Sequence, residues 1–174
     1  MVKCGILSDT HITINDDPEK INNLLSQLKI VFQDVDMIIH AGDVCEEFFL
    51  EKLEQIAPTR SVMGNLDKIE GLEPYISFTI GDYNIGVIHE LPNDIESYFK
   101  KNKLHILIYG HTHQPLIEGT PYNTLLINPG SPTKPKAPPK KKGFNKPIAR
   151  PSVITMSIDE NNILSTFIIN LKTK

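Results

Sequence analysis

Strand-length apolar runs in this chain stop, again and again, at histidine, aspartate or asparagine. Residues 2–7 run into Ser8-Asp9-Thr10-His11, and 35–39 into His40-Ala41-Gly42-Asp43. Residues 58–63 lead into Gly64-Asn65-Leu66-Asp67, 84–89 end on His89, and 104–109 enter Gly110-His111-Thr112-His113. A short apolar run with β-branched members, closed by turn residues, reads as a buried strand. Helical periodicity fills the first gaps. Acids and Pro18 open a helix near residue 16, with Ile21, Leu24, Leu25, Leu28 and Val31-Phe32 on one face. A second helix is expected over 46–56, with Phe49, Leu50, Leu53 and Ile56 recurring.

The order β-α-β-α-β implies a parallel sheet with right-handed crossovers. It gathers the polar clusters on one edge, at the carboxyl ends of the strands, where α/β proteins bind ligands. The second half is richer in strand. Segments 75–80 and 84–89 flank a turn at Gly81-Asp82-Tyr83, and a short helix is expected over 95–101. Strands follow at 104–109 and 123–127, and a closing hairpin pairs 153–158 with 163–170. The reading is one domain over residues 1–174, α/β in class. An exposed strand edge from the 75–89 hairpin would suit a homodimer.

No apolar run approaches the roughly 20 residues of a membrane span, and no secretory signal pattern opens the chain. The expected partners therefore include no membrane, and the expected location is cytoplasmic. Cys4 and Cys45 fit a reducing compartment and read as buried packing residues. Net charge is −3, unevenly placed. Seven basic residues and no acid lie within 132–150, an extended Pro/Lys-rich insertion, so the remainder carries −10. A solvated insertion explains that loop. A nucleic-acid contact through Lys134 to Arg150 is the sharper alternative, although only Phe144 could stack on a base.

Seven side chains at strand ends are candidate ligands: Asp9, His11, Asp43, Asn65, His89, His111 and His113. Imidazole and carboxylate suit Mn²⁺, Fe²⁺, Ni²⁺ or Zn²⁺, and the lack of a thiol argues against structural zinc. Seven ligands exceed one tetrahedral ion and suit two, with Asp43 central in the order as the natural bridge. Each member alone has a bland reading, whereas the ordered set is far more specific. His40 and His105 keep the bland reading, His40 as support behind the ligands.

The ordered motifs SDTH, HAGDV, GNLD, GHTH and NPGSP resemble the calcineurin-like metallophosphoesterase superfamily, in particular its small archaeal and bacterial phosphodiesterases, over nearly the whole chain. The resemblance implies a four-layer α/β/β/α metallophosphoesterase sandwich with two central mixed β-sheets. It implies two divalent ions, Mn²⁺ or Ni²⁺ before Fe²⁺ or Zn²⁺. Asp9, His11, Asp43 and His113 would hold one ion, and Asp43, Asn65, His89 and His111 the other. Catalysis would rest on Asp43, Asn65 and His89. The implied reaction is hydrolysis of a phosphodiester, a small molecule or nucleotide, by attack of a metal-bridged hydroxide on phosphorus. Three positions depart from the family pattern. Leu66 stands where many members carry a histidine that is a candidate acid for the leaving group. Glu90-Leu91 replaces a Gly-His pair, and Ile12 a glycine. Proton donors are thereby depleted. The competing expectation is a weak or inactive member acting as an interaction scaffold, as the retromer subunit of this fold does.

Overall fold

The computed structural model describes residues 1–173. Ten strands and three helices follow one another: β1 (Val2–Leu7), α1 (Pro18–Val31), β2 (Met37–His40), α2 (Glu47–Glu54), β3 (Thr59–Ser61), β4 (Tyr75–Ile80), β5 (Tyr83–Ile88), α3 (Ile95–Asn102), β6 (Ile106–Ile108), β7 (Pro115–Gly119), β8 (Leu125–Pro129), β9 (Ser152–Ile158) and β10 (Leu164–Asn170). They form two five-stranded mixed sheets, ordered β10-β9-β1-β2-β3 and β4-β5-β6-β8-β7. In the first, β1, β2 and β3 run parallel, and β9 and β10 are antiparallel additions. In the second, β5, β6 and β8 are parallel, and β4 and β7 are antiparallel edges.

Three apolar clusters define the layers. Ile6, Ile39, Ile154 and Met156 of the first sheet meet Ile85, Val87, Ile106 and Ile127 of the second, so the sheets pack face to face. Leu24, Leu28 and Phe32 of the α1 segment and Phe49 and Leu53 of α2 cover the outer face of the first sheet. Phe99 of α3 meets Leu107, Tyr109 and Leu126 on the outer face of the second. The result is the expected helix–sheet–sheet–helix sandwich. Strands buried on both faces read as largely apolar runs, which is why β1, β2, β5 and β6 stand out in the sequence. Each fully buried Leu, Ile or Phe contributes roughly 1.5–3 kcal/mol.

Helix α1 starts as expected, with the Asp17 side chain accepting the Glu19 N–H at 2.9 Å and Pro18 in the first turn. The sequence reading lacked β7. Pro115 opens it and its side chains are half-buried or exposed, so neither an apolar run nor alternation marks it. Pro is tolerated there because β7 is an edge and Pro115 is its first residue. Strand β8 begins two residues later than expected and extends through Pro129. Among the described residues, no helix is long and apolar enough to cross a membrane.

Candidate metal centre

Six parallel strands, three from each sheet, point their carboxyl ends at one region. From the first sheet, β1 delivers Asp9 and His11, β2 delivers Asp43, and β3 delivers Asn65. From the second, β5 delivers His89 and β6 delivers His111 and His113. The sixth strand, β8, supplies a latch. The Asn128 amide donates to the Gly110 carbonyl (2.9 Å) and Thr112 Oγ1 (3.1 Å), which fixes the GHTH loop.

The backbone here is unusual. Asp9, His11, Asp43, His111 and His113 all have left-handed φ, between 46° and 67°, as does Cys45 at 81°. Such residues cost free energy and persist only where surrounding bonds over-determine them. Those bonds are present: the Asp9, His11 and Ile12 amides donate to the carbonyls of Gly42, Asp43 and Val44. Asp67 holds the β2 and β3 loops together, its carboxylate accepting the N–H groups of Asp43 (3.0 Å), Cys45 (2.7 Å) and Gly64 (2.7 Å). Glycine permits the close approach of the loops. A Cβ on Gly64 would lie 2.2 Å from the Asp43 amide nitrogen, and one on Gly110 would lie 1.9 Å from Ser8 Oγ.

One lobe of the centre is buried. His11 Nε2 lies 3.2 Å from His113 Nε2, and Asp9 Oδ1 is 3.4 Å from the same His113 nitrogen. The other lobe opens to solvent. His89 Nε2 is 3.0 Å from Asn65 Oδ1, and His111 Nδ1 is 3.2 Å from that same oxygen. Asp43 lies between the lobes, with Oδ2 3.7 Å from His11 Nε2 and 3.5 Å from His89 Nε2, while Oδ1 accepts the Leu66 N–H at 2.9 Å. The structure thus brings all seven expected residues together. His113 faces Asp9 and His11, and His111 faces Asn65 and His89.

Ring tautomers follow from the partners, because a carbonyl oxygen only accepts. His89 Nδ1 donates to the Ala41 carbonyl (2.8 Å) and His113 Nδ1 to the Lys134 carbonyl (2.7 Å). In the neutral rings the Nε2 lone pairs are thereby turned inward, toward carboxylate and amide oxygens. Acceptors facing acceptors fit a bound cation. The charge balance agrees: Asp9 is fully buried and Asp43 nearly so, and among the described residues their ion-pair partners are histidines alone. Ligand atoms of Asp9, His11 and His113 lie within 4.8 Å of one another, as do those of Asp9, Asp43 and His89.

Burial pushes the Asp9 carboxyl up, against the pull of Ser8 and the nearby histidines. Burial also acts on Asp43, but the His89 and Leu66 hydrogen bonds outweigh it and hold that carboxyl below its ordinary value. For His89 burial works downward, yet Asp43 and the Ala41 carbonyl prevail and raise it. His11 is depressed to about 4, first by burial, which Asp43 opposes and Lys134 reinforces. A histidine kept neutral at physiological pH is available as a ligand.

Cys45 differs from its expected place in the core. It is partly exposed, with Sγ 3.8 Å from His11 Nδ1, because the Asp67 bond to its amide holds it in the left-handed turn. It lines a groove of about 640 Å³ with Thr13, Glu46, Leu66, Lys68 and Ile69. His40 is buried behind the loops, its Nε2 3.1 Å from Thr10 Oγ1.

Sequence reasoning missed the parts that act through backbone. Asp67 was visible only as the last letter of GNLD. Ser131, whose hydroxyl donates to the Asp9 carbonyl at 2.7 Å, was visible only within NPGSP. The root of the basic loop is tied to the centre as well. Thr133 Oγ1 donates to the Thr10 carbonyl (2.7 Å), and the Lys136 N–H donates to the His113 carbonyl (3.1 Å). Residues 137–150 carry no regular secondary structure.

Comparison with known proteins agrees with this architecture. Residues 2–145 match the model of the calcineurin-like phosphoesterase superfamily domain. A probable metallophosphoesterase of Methanothermobacter thermautotrophicus is 34% identical over 163 residues, covering 89% of this chain and 85% of that protein. A phosphodiesterase of Methanocaldococcus jannaschii is 29% identical over 147 residues, covering 74% of this chain and 83% of its own. Among solved structures, a predicted phosphoesterase of Streptococcus pneumoniae superposes with a TM-score of 0.72 at 19% identity, over 97% of this chain and 89% of that one. Vps29 of Entamoeba histolytica in complex with Zn²⁺ superposes with a TM-score of 0.68 at 18% identity, over 97% and 99%. The chain belongs to the calcineurin-like phosphoesterase superfamily.

Proposed function

We propose that this protein is a phosphodiesterase that uses two divalent metal ions. The observation that carries the reading is the convergence of seven nitrogen and oxygen donors on two lobes that share Asp43. Asp9, His11 and His113 would complete the buried lobe, and Asn65, His89 and His111 the open one. When bound, the ions would supply Lewis acidity toward phosphoryl oxygens and a nucleophile at neutral pH. The donor set suits Mn²⁺ or Ni²⁺, and also Fe²⁺ or Zn²⁺.

The chain's own residues perform the remaining tasks. Asp43 supplies negative charge between two cation sites. The Ala41 and Lys134 carbonyls hold the His89 and His113 rings in one tautomer. Asn65, neutral and exposed, adds a ligand oxygen without adding charge. Leu66 lies half-exposed in the lining of the groove and has no proton to give a departing alkoxide. The substrates cut fastest are therefore diesters with acidic leaving groups. Two free cysteines accord with a reducing, cytoplasmic location.

Asp43→Ala and His113→Ala each remove a donor at the centre. Each is expected to lower Mn²⁺-dependent hydrolysis of bis-p-nitrophenyl phosphate by at least about a hundredfold, given that metal-assisted hydrolysis depends on an intact ligand set. Unchanged turnover in either variant rules the assignment out. A metal-replete protein that hydrolyses no phosphoester yet retains a protein partner would favour a scaffold.

A further inference from the structure

The root of the basic loop is built into the centre, and its lysine side chains have no part in that construction. Lys134 shows this most plainly. Its N–H donates to Ser131 Oγ (2.8 Å), and Ser131 Oγ donates in turn to the Asp9 carbonyl. Its carbonyl accepts the His113 Nδ1 proton. Two residues on, Lys136 donates its N–H to the His113 backbone. Lys134 and Lys136 enter these bonds through their peptide groups only. They fix the Cα of Lys134 at the rim of the buried lobe and leave its exposed side chain free to reach.

The surroundings indicate where that ammonium acts. The Lys134 carbonyl is 2.7 Å from His113 Nδ1, the Nε2 atoms of His113 and His11 are 3.2 Å apart, and His11 Nδ1 is 3.8 Å from Cys45 Sγ. Asp16 caps the turn at Thr13, accepting its N–H at 2.7 Å, and Thr13 and Cys45 line the groove beside the centre. Lys134 thus stands where the groove meets the buried lobe. Close by, Glu46, Glu47 and Glu70 line the same groove. A phosphate group entering it meets acidic walls, with Lys68 and Lys134 as the nearby cations. A cation on a rigid root at that junction is placed to donate a charge-assisted hydrogen bond to a phosphoryl oxygen.

We propose that Lys134 is a substrate-binding residue that holds a non-bridging oxygen of the phosphodiester against the centre, on a loop root whose peptide groups orient His113 and whose Ser131 hydroxyl bonds to the Asp9 carbonyl. The inference rests on the phosphodiesterase reading above. Its side chain and backbone have separate tasks, so a side-chain substitution isolates the first from the second. The acidic lining of the groove adds a selectivity: a monoanionic diester is favoured over a dianionic monoester or a polyphosphate.

The experiment compares wild-type protein with Lys134→Gln and Lys134→Arg, each saturated with Mn²⁺. KM and kcat are measured for bis-p-nitrophenyl phosphate, and inorganic phosphate serves as the competing ligand. Lys134→Gln is expected to raise KM and the phosphate inhibition constant about tenfold, with kcat within about threefold of wild type, as for loss of one charge-assisted contact. Lys134→Arg should restore most of the difference. Bound metal, assayed by elemental analysis, should be equal in all three, since the His113 bond is made by the backbone. Unchanged KM and phosphate inhibition in Lys134→Gln would overturn the proposal. A loss of bound metal in that variant would also overturn it, by showing a structural role. A wild-type protein inactive on every diester would instead overturn the phosphodiesterase reading itself.

Discussion

At the scale of single residues, close approach governs this centre. Gly110 carries no Cβ because Ser8 Oγ and Asp9 Oδ2 would lie 1.9 and 2.7 Å from it. Gly110→Ala forces those loops apart. It should destabilise the fold by about 1–3 kcal/mol, the usual range for overpacking, measured by urea unfolding. His40 makes a second residue-scale prediction. Burial, the largest influence, depresses its pKa from 6.5 to about 3, and among the described residues its Nδ1 has no hydrogen-bond partner. Between those two values the unfolded chain binds a proton at this histidine and the folded chain does not. Stability of metal-free protein should therefore fall as pH drops through that window and be restored above 6.5. His11, depressed to about 4, acts in the same direction. Unfolding free energies at pH 7 and pH 4.5 give the slope, and His40→Gln should flatten it. An equal slope in that variant would refute the assignment to His40.

At the scale of elements, burial separates what matters to the fold from what does not. Phe49 on α2 is fully buried against the first sheet, whereas Phe144 in the basic loop is 72% exposed. Phe49→Ala is expected to cost about 3–5 kcal/mol and Phe144→Ala less than about 0.5 kcal/mol, compared by chemical denaturation. The same contrast explains which elements were legible in the sequence. Strands β1, β2, β5 and β6 are buried on both faces and wrote themselves as apolar runs, and α1 announced its start with Asp17-Pro18. The half-exposed edge strand β7, opened by proline, wrote no pattern. Site residues were legible for the same reason: each candidate donor lies in the loop just past the carboxyl end of a strand. The clamps were not. Asp67, Ser131 and the Lys134 carbonyl bond to Cys45, Asp9 and His113, which lie 22, 122 and 21 residues away, and nothing in local spacing records such bonds.

At the scale of the whole molecule, two sheets packed face to face do what neither does alone. Each contributes one edge of parallel-strand termini, and the donors of the centre come from both: Asp9, His11, Asp43 and Asn65 from one side, His89, His111 and His113 from the other. The interior of the sandwich therefore bears on the site, because Ile6, Ile39, Val87 and Ile108 between the sheets set how far apart those edges stand. The central claim is that this shared edge is a two-metal hydrolytic centre. It is tested most directly by stripping the protein of metal and titrating Mn²⁺ back while following release of p-nitrophenol from the diester. The account predicts no release from stripped protein and activity that saturates as two ions bind per chain, with neither saturation nor activity in Asp43→Ala. Hydrolysis that survives stripping, or that is complete with Asp43 removed, would contradict it.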